Sequence, residues 1–448
     1  MSFPRYPAYK PSGVEWLGEV PEHWQLTRLG FEAWVRARLG WKGLKAEEYV
    51  YDGFAFLSTP NIKGREINFD DVNFISQARY DESPEIKLSR GDVLLAKDGS
   101  TLGICNVVRS LSCPATVNSS VAVITPSPRL DSVYLHYLMS GNGMQQLIQQ
   151  KKGGMGVPHL FQADLVKFAV PLPTPNEQSS IATFLDHETA KIDALIAEQQ
   201  RLIELLQEKR QAVISQAVTK GLNPDAPMKD SGVEWLGEVP EHWVVGKLSY
   251  YAVVSIGATP DRQKPDYWGG DIPWIKTGEV RYEDIQQAEE CITELALKET
   301  SCDLLQPGTL LMALYGQGVT RGRVGLLAIP AACNQACAAI KPFSVLSARF
   351  LELYFVNAYT HIRSLGNETT QQNLNLDYVR GLEVLLPPQE EQNLIWRSCG
   401  ERIKGIDSLL GCSFDAIALL QERRSALISA AVTGQIDVRG LVPEASAA

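Results

Sequence analysis

Hydrophobic and polar positions fall into one long pattern and many short ones. The long one begins at Thr174. After Pro175 no Pro or Gly appears until Gly221. Within that stretch Ile192, Ile196, Gln199, Ile203, Leu206, Arg210, Val213 and Ala217 alternate steps of four and three, the spacing of coiled-coil a and d positions. The pattern predicts a helix of roughly 43 residues, about 65 Å long at ~1.5 Å per residue. Thr174, Pro175 and Glu177 supply a capping box with Pro at the first helical position. Gly221 suits a left-handed C-cap. A helix several times the average length of ~12 residues calls for a partner helix.

The partner lies in the same chain. Adding 214 to the seam positions gives Ile406, Leu410, Ser413, Ile417, Leu420, Arg424, Leu427 and Ala431, with polar breaks at the same two places. The stretch 205–219, LLQEKRQAVISQAVT, returns at 419–433 as LLQERRSALISAAVT. The repeated core of the seam is therefore Ile192, Ile196, Ile203, Leu206, Arg210 and Val213 against Ile406, Leu410, Ile417, Leu420, Arg424 and Leu427. Arg210 and Arg424 read as register pins or as ion-pair partners of nearby Glu side chains. At the second helix start Pro388 stands where the repeat has Thr174, so the capping box is lost and the start there is less defined.

The short patterns repeat too. SGVEWLGEVPEHW occurs at 12–24 and, unchanged, at 231–243, an offset of 219. It reads as a strap packing its tryptophans against a helix or domain edge, and residues 1–11 as a mobile lead-in. Apolar runs bounded by turn residues predict short strands at 55–62, 91–103, 104–109 and 119–126, then helical periodicity over 132–151. The second copy predicts strands at 272–280, 307–316, 323–330 and 334–342, then a helix over 348–365. The chain thus divides into a lead-in and strap (1–24), a globular unit (25–173), a spacer helix (174–222), a linker and second strap (223–243), a second globular unit (244–387), a second spacer helix (388–434) and a tail (435–448). The fold class is α+β, with two pseudo-symmetric globular units separated by two long antiparallel helices packed as a coiled coil.

Composition changes this picture little. The chain has 448 residues, 45% hydrophobic and 21% charged, as in ordinary globular proteins. No apolar run reaches the ~20 residues of a membrane span, and no signal peptide is legible. The eight cysteines show neither metal-site nor disulfide spacing, which fits a reducing cytoplasm. A net charge of −10 argues against non-specific coating of nucleic acid, but leaves room for local basic loops.

Catalytic constellations are missing. No phosphate-cradling G-x-x-x-x-G-K-[ST] is present, and Gly316, Gly318 and Gly322 lack the helix a dinucleotide motif requires. Asp71 with Glu85 and Lys87 faintly matches a nuclease pattern that the second copy lacks. His23 and His242 sit in the straps, where packing or capping is the simpler role. The loop tips suit nucleic-acid reading better. Lys97, Ser100 and Thr101 share one tip, and Lys151 and Lys152 another. In the second copy Tyr315, Gln317, Thr320, Arg321 and Arg323 share a tip without an acidic residue, and Gln371, Gln372 and Asn373 occupy the turn equivalent to 151–160. Arg and Lys donate to guanine, Gln and Asn pair with adenine, and all can hold phosphate.

These features together resemble the specificity (S) subunit of type I restriction-modification systems. They are the repeated strap, the segment GGMGVPHLFQADLVKFAVPLPTPNEQ, and the long helix with its second copy. The resemblance spans about 10–440. It implies that each globular unit is a target-recognition domain for half of a split, asymmetric site in double-stranded DNA, and that the helices act as a ruler for the unread gap. It implies a cytoplasmic complex with two methyltransferase (M) subunits and two restriction (R) subunits. Those partners methylate adenine with S-adenosylmethionine or cleave with ATP and magnesium. This chain would then be no enzyme and hold no cofactor or metal. A two-headed coiled-coil adaptor without DNA contact is the competing expectation.

Overall fold

The computed structural model describes residues 3–38, 44–153, 157–316, 319–364 and 374–441. Two compact units form. One comprises residues 1–199 with 415–448, the other residues 200–414. Each therefore holds its own set of sheets together with part of both long helices.

Among the described residues the two units carry the same four sheets, one of them a two-stranded pairing of Gln25–Arg28 with Ala169–Leu172, repeated as Val244–Lys247 with Glu383–Leu386. In the first, an antiparallel four-stranded sheet runs Ala33–Arg36, Val121–Pro126, Val93–Ala96, Cys105–Val107. In the second the order is Ala252–Ile256, Cys337–Pro342, Leu310–Ala313, Val324–Leu326. A three-stranded sheet accompanies each. Asn73–Ile75, Phe54–Leu57 and Ala115–Val117 match Glu290–Ile292, Trp268–Ile275 and Ala332–Cys333, each with one antiparallel and one parallel pairing. The fully buried strands Val93–Ala96 and Leu310–Ala313 read as unbroken apolar runs, which is why they were legible. Ala33–Arg36, Asn73–Ile75 and Ala115–Val117 were not, because three or four residues give too little alternation. The helical stretch after the sheet is broken at Gly141, whose extended backbone separates Ser132–Ser140 from Asn142–Lys151.

The straps are β-hairpins. Tyr9–Pro11 pairs with Glu19–Pro21, and Met228–Asp230 with Glu238–Pro240. Trp24 and Trp243 at their ends are fully buried. Trp16 lies against Gly143, where an added Cβ would meet its ring at 2.5 Å, and Trp235 stacks on His361 at 4.7 Å between ring centres. The segment expected to be a mobile lead-in is packed instead. Phe3 sits edge-on to Phe184, Tyr6 is buried, and the Tyr9 hydroxyl donates to the Gly434 carbonyl at 3.0 Å. Pro4 accepts from the Asp437 amide at 2.8 Å. Aromatic side chains at Phe3, Tyr6 and Tyr9 are what hold this segment.

The first long helix runs Pro175–Lys220, 46 residues, and the second Gln389–Val432, 44 residues. At the first start the capping box forms: Thr174 and Glu177 each accept the other's amide proton, at 3.4 and 3.1 Å. Gly221 has a φ of +74°, the left-handed conformation a C-cap needs. At the second start, with Pro388 in place of Thr, the equivalent Glu391 turns to the strap. There it bonds His242 at 2.8 Å and accepts from the Trp243 indole at 3.1 Å. His23 bonds Glu177 likewise at 2.8 Å.

Each start is also fixed by a glutamine that pattern reading passed over. Gln178 and Gln392 are fully buried. The Gln178 amide donates to the carbonyls of Pro173 and Arg129 and accepts from the Asp131 amide at 2.7 Å. Gln392 repeats this with Pro387, Val345 and Ser347. Asp131 and Ser347 in turn cap the helices Ser132–Ser140 and Ala348–Asn357. One side chain thus ties two helix starts together.

Within each unit the long helices are antiparallel and joined by an ion pair between them. In the first unit Arg424 donates from Nε to Asp193 at 2.8 Å, and in the second Arg210 donates to Asp407 at 3.0 Å. These pairs are copies, each residue standing 214 positions from its counterpart. The acid is therefore an Asp on the opposite long helix, rather than the nearby Glu that the sequence pointed to. Ile192 and Leu427 are buried in the first unit's core with Ile196 and Leu420 beside them, while Ile417 is half-buried. Leu206, Val213 and Ile406 belong to the second core with Leu410 against it, and Ile203 is buried as well.

Gln178→Ala removes three buried hydrogen bonds and leaves backbone groups unsatisfied. It is expected to lower stability by about 1–3 kcal/mol. Chemical denaturation followed by tryptophan fluorescence checks this, and an unchanged midpoint would contradict the anchoring role.

Candidate nucleic-acid interface

In each unit the four-stranded sheet ends in loops that carry most of the polar residues singled out above. In the first, the buried strand Val93–Ala96 delivers the chain to Lys97, Asp98 and a short 3₁₀ turn, Gly99–Thr101. Gly99 has a φ of +73° and Gly103 of +94°, so this tight turn needs residues without a Cβ. Ser100 is exposed and Thr101 half-exposed. Lys97 is mostly covered, and its ammonium pairs with Asp98 at 3.2 Å. It is thus a braced residue rather than a free tip.

The 151–161 segment docks on this turn. Leu160 donates its amide to the Lys97 carbonyl at 2.9 Å, and Gly99 donates to the Pro158 carbonyl at 2.9 Å. His159 hydrogen-bonds Asp98 through Nδ1, and its ring meets Phe161 at 4.5 Å. The structure therefore brings the Lys97–Thr101 turn and the Lys151–Lys152 segment to one end of the unit, with both lysines of that segment exposed. Asp98 and His159 make the junction. Sequence reading missed them, although both lie inside the stretches already marked.

The second unit builds its tip differently. Tyr315 is half-buried and Thr320 half-exposed. Arg321 was expected at an exposed tip but is buried, and its guanidinium donates to the Arg363 carbonyl at 2.7 Å. Burial, with Arg363 nearby, holds it below the usual arginine pKa. Arg363 donates back to the Arg321 carbonyl at 3.4 Å and to the Tyr359 hydroxyl at 3.1 Å. Arg323 lies 5.9 Å from the Tyr282 ring centre, and Tyr282 packs edge-on to Tyr359 at 6.0 Å. Tyr282 has a φ of +64°, the sole left-handed residue besides glycine among the described residues. Its amide is held by the Val324 carbonyl at 2.8 Å, which fixes that strained turn beneath Arg323. Neither Arg323 nor Arg363 has an ion pair with a described residue. Three guanidinium groups thus converge with two tyrosines, and Arg363, Tyr359 and Tyr282 are additions that a helix and a distant loop supply. Gln317, Gln371, Gln372 and Asn373 lie outside the described residues.

Chemically, such a tip suits an anion with several oxygens. Guanidinium groups offer forked donors, and tyrosine rings offer faces for stacking. The nuclease-like trio gains no support from geometry, since Lys87 pairs with Asp81 at 2.5 Å. Among the described residues no group of His, Cys, Asp or Glu could hold a metal ion, and no helix is long and apolar enough to cross a membrane. Burial pushes the Cys333 thiol up to about 12 and the Cys337 thiol well up, so both behave as apolar core groups.

Known proteins share this architecture. The model of the type I restriction modification DNA specificity domain matches residues 45–206 and again 240–398. The MjaVIII type I restriction enzyme specificity subunit of Methanocaldococcus jannaschii is 23% identical over 432 residues, covering 94% of this chain and 95% of the relative. The EcoKI specificity subunit of Escherichia coli K12 is 21% identical, covering 94% and 90%. Among solved structures, a chain from a study of complex assembly and conformational transition in a type I R-M system superposes with a TM-score of 0.73 at 15% identity, covering 92% of this chain and 98% of the other. The HsdS subunit from Thermoanaerobacter tengcongensis gives 0.53 at 16% identity, covering 93% and 98%.

Breaking the Asp98–His159 junction, by His159→Ala, is expected to speed hydrogen exchange at the Gly99 and Leu160 amides at least tenfold. Exchange at the buried strand Val93–Ala96 should stay unchanged. Equal acceleration in both places would mean that the junction supports the whole unit rather than the loop.

Proposed function

The chain belongs to the type I restriction modification DNA specificity family, and from this premise we propose that its two units read the two halves of a bipartite, asymmetric DNA site on behalf of catalytic partners. The observation that carries this is the contrast between framework and tips. The same four sheets, the same buried glutamine anchor and the same interhelical ion pair occur twice, yet the loops at the sheet ends share almost no chemistry. One is a braced lysine–aspartate–histidine turn. The other is an arginine–tyrosine cluster. A repeated scaffold with different tips suits two different half-sites. The unread gap between them would be set by the long helices that both units share. An adaptor without DNA contact would gain nothing from Arg323 and Arg363, which gather at a tip without an ion pair to a described residue.

Catalysis is assigned to partners, with this chain contributing specificity. Methyl transfer to adenine from S-adenosylmethionine, and ATP- and magnesium-dependent cleavage, would belong to M and R subunits in a cytoplasmic complex. Two M subunits fit a duplicated surface, because equivalent faces bind equivalent partners. Exposed leucines support this. Leu195 and Leu205 on the first long helix are about half exposed, and their copies Leu409 and Leu419 are exposed as well, each 214 residues on. Each unit so carries one leucine from each helix.

Two experiments test the reading. Methylome mapping in cells expressing the chain with its methyltransferase should return one split adenine motif. Exchange of 244–387 for another recognition domain should alter one half and leave the other intact. A motif that is not split, or a change in both halves, would defeat the proposal. Second, Arg323→Ala with Arg363→Ala is expected to weaken DNA binding by the assembled complex across all sequences. The slope of log K against log salt should fall by about 1 for each phosphate no longer held. Unchanged affinity and slope would remove the arginine cluster from the interface.

A further inference from the structure

The first unit holds a cationic cavity whose lining is not repeated at the equivalent positions of the second copy, where Gly400 and Glu352 stand for Asp186 and His136. It measures about 150 Å³ and lies where the sheet, the helix Ser132–Ser140 and the two long helices meet. Four cationic side chains line it: Lys63, Arg65, Arg109 and Arg424. Asp186 is the one carboxylate. That carboxylate is already engaged. Arg109 grips both its oxygens, at 2.9 and 2.6 Å, and the Tyr137 hydroxyl donates to it at 2.7 Å. Arg424 uses Nε on Asp193 and keeps its two terminal nitrogens. Lys63 and Arg65 stand exposed at the rim with no ion pair to a described residue. His136 completes the wall, and its Nδ1 is buried without a hydrogen-bond partner among the described residues.

We propose that this cavity is a binding site for a phosphate-class oxyanion, held by the rim cations Lys63 and Arg65, the free end of Arg424 and the unpartnered nitrogen of His136. Three arguments support it. Size comes first: about 150 Å³ accommodates on the order of five waters at ~30 Å³ each, and a tetrahedral oxyanion has five heavy atoms. Charge is the second. Arg109 is balanced by Asp186 and Arg424 by Asp193, so the positive excess is that of Lys63 and Arg65 at the rim, and it attracts an anion toward the donors that Arg424 keeps inside. The His136 ring responds to that surrounding. Burial first, and Arg109 next, push its pKa down to about 4, so the ring adds no further positive charge, and Nδ1 is a donor in the tautomer that carries the proton there. The third argument is asymmetry. The position 214 residues after Asp186 is Gly400. Counting from the equivalent caps Asp131 and Ser347, His136 corresponds to Glu352, which pairs with Arg349 at 3.2 Å. In a framework otherwise copied closely, this spot was rebuilt in one copy only.

This inference does not depend on the DNA-reading function. Its test uses the full chain and inorganic phosphate, titrated calorimetrically in a chloride buffer at neutral pH, with the His136 ring followed by NMR. Saturable binding with a shift of the His136 resonances is expected. Lys63→Gln with Arg65→Gln should weaken it at least tenfold while leaving the phosphate-free melting temperature unchanged, because both side chains are exposed. A mixed-sequence DNA duplex then separates the sources. Competition with phosphate would identify a backbone phosphodiester as the natural occupant, and independent binding a free anion. No saturable heat, no His136 shift, or equal affinity in the double variant would overturn the proposal.

Discussion

Everything in this molecule rests on burying one face of two helices too long to stand alone. An isolated helix gains little beyond its hydrogen bonds, and its stability comes from packing an apolar stripe. Here the stripe of each long helix is covered by the other helix and, near each start, by the sheet-bearing domain. An apolar seam alone tolerates slippage, since one isoleucine resembles the next. The ion pairs Arg424–Asp193 and Arg210–Asp407 remove that freedom. Their side chains are roughly a third to a half exposed, so their contribution to stability is small. Their contribution to register is larger, because a shifted seam would set each Arg beside an apolar position.

Much of this was legible because the chain repeats itself. Two copies at a constant offset turn weak signals into strong ones. An arginine interrupting a seam once is noise, whereas Arg210 and Arg424 together are a feature. Their acids were misjudged because helical spacing reports neighbours on the same helix and is silent about the facing one. Gln178 and Gln392 were overlooked for a different reason. A polar residue near a helix start looks solvated, and only tertiary structure reveals the three backbone groups around it. The opening segment was expected to be mobile, while Phe3, Tyr6 and Tyr9 carried the decisive information.

The tips were read by residue type and only partly by role. Lysine and arginine in loops suggest free donors, yet Lys97 is braced by Asp98 and Arg321 is buried against a carbonyl. Half-buried residues from other elements complete the tips. Arg363 comes from a helix, Tyr282 from a strained turn, and His159 from a segment some sixty residues after the turn it braces. Such gatherings have no local signature, because nothing in the chain order marks which loops will meet. The duplicated framework is informative here too. Where copies agree, the residues hold the fold, and where they part, the chemistry has been redirected.

The packing of residues 434–438 onto residues 4–24 carries a consequence for how the protein is made. Gly434 has a φ of +73° and lies against Pro21 and Trp24, and Tyr9 and Pro4 bond to the chain just beyond the second long helix. The first unit is therefore discontinuous, finished only by residues from the far end, whereas the second is contiguous from 200 to 414. During synthesis the second unit has all its parts while the first still lacks a wall. The domain translated first is thus completed last.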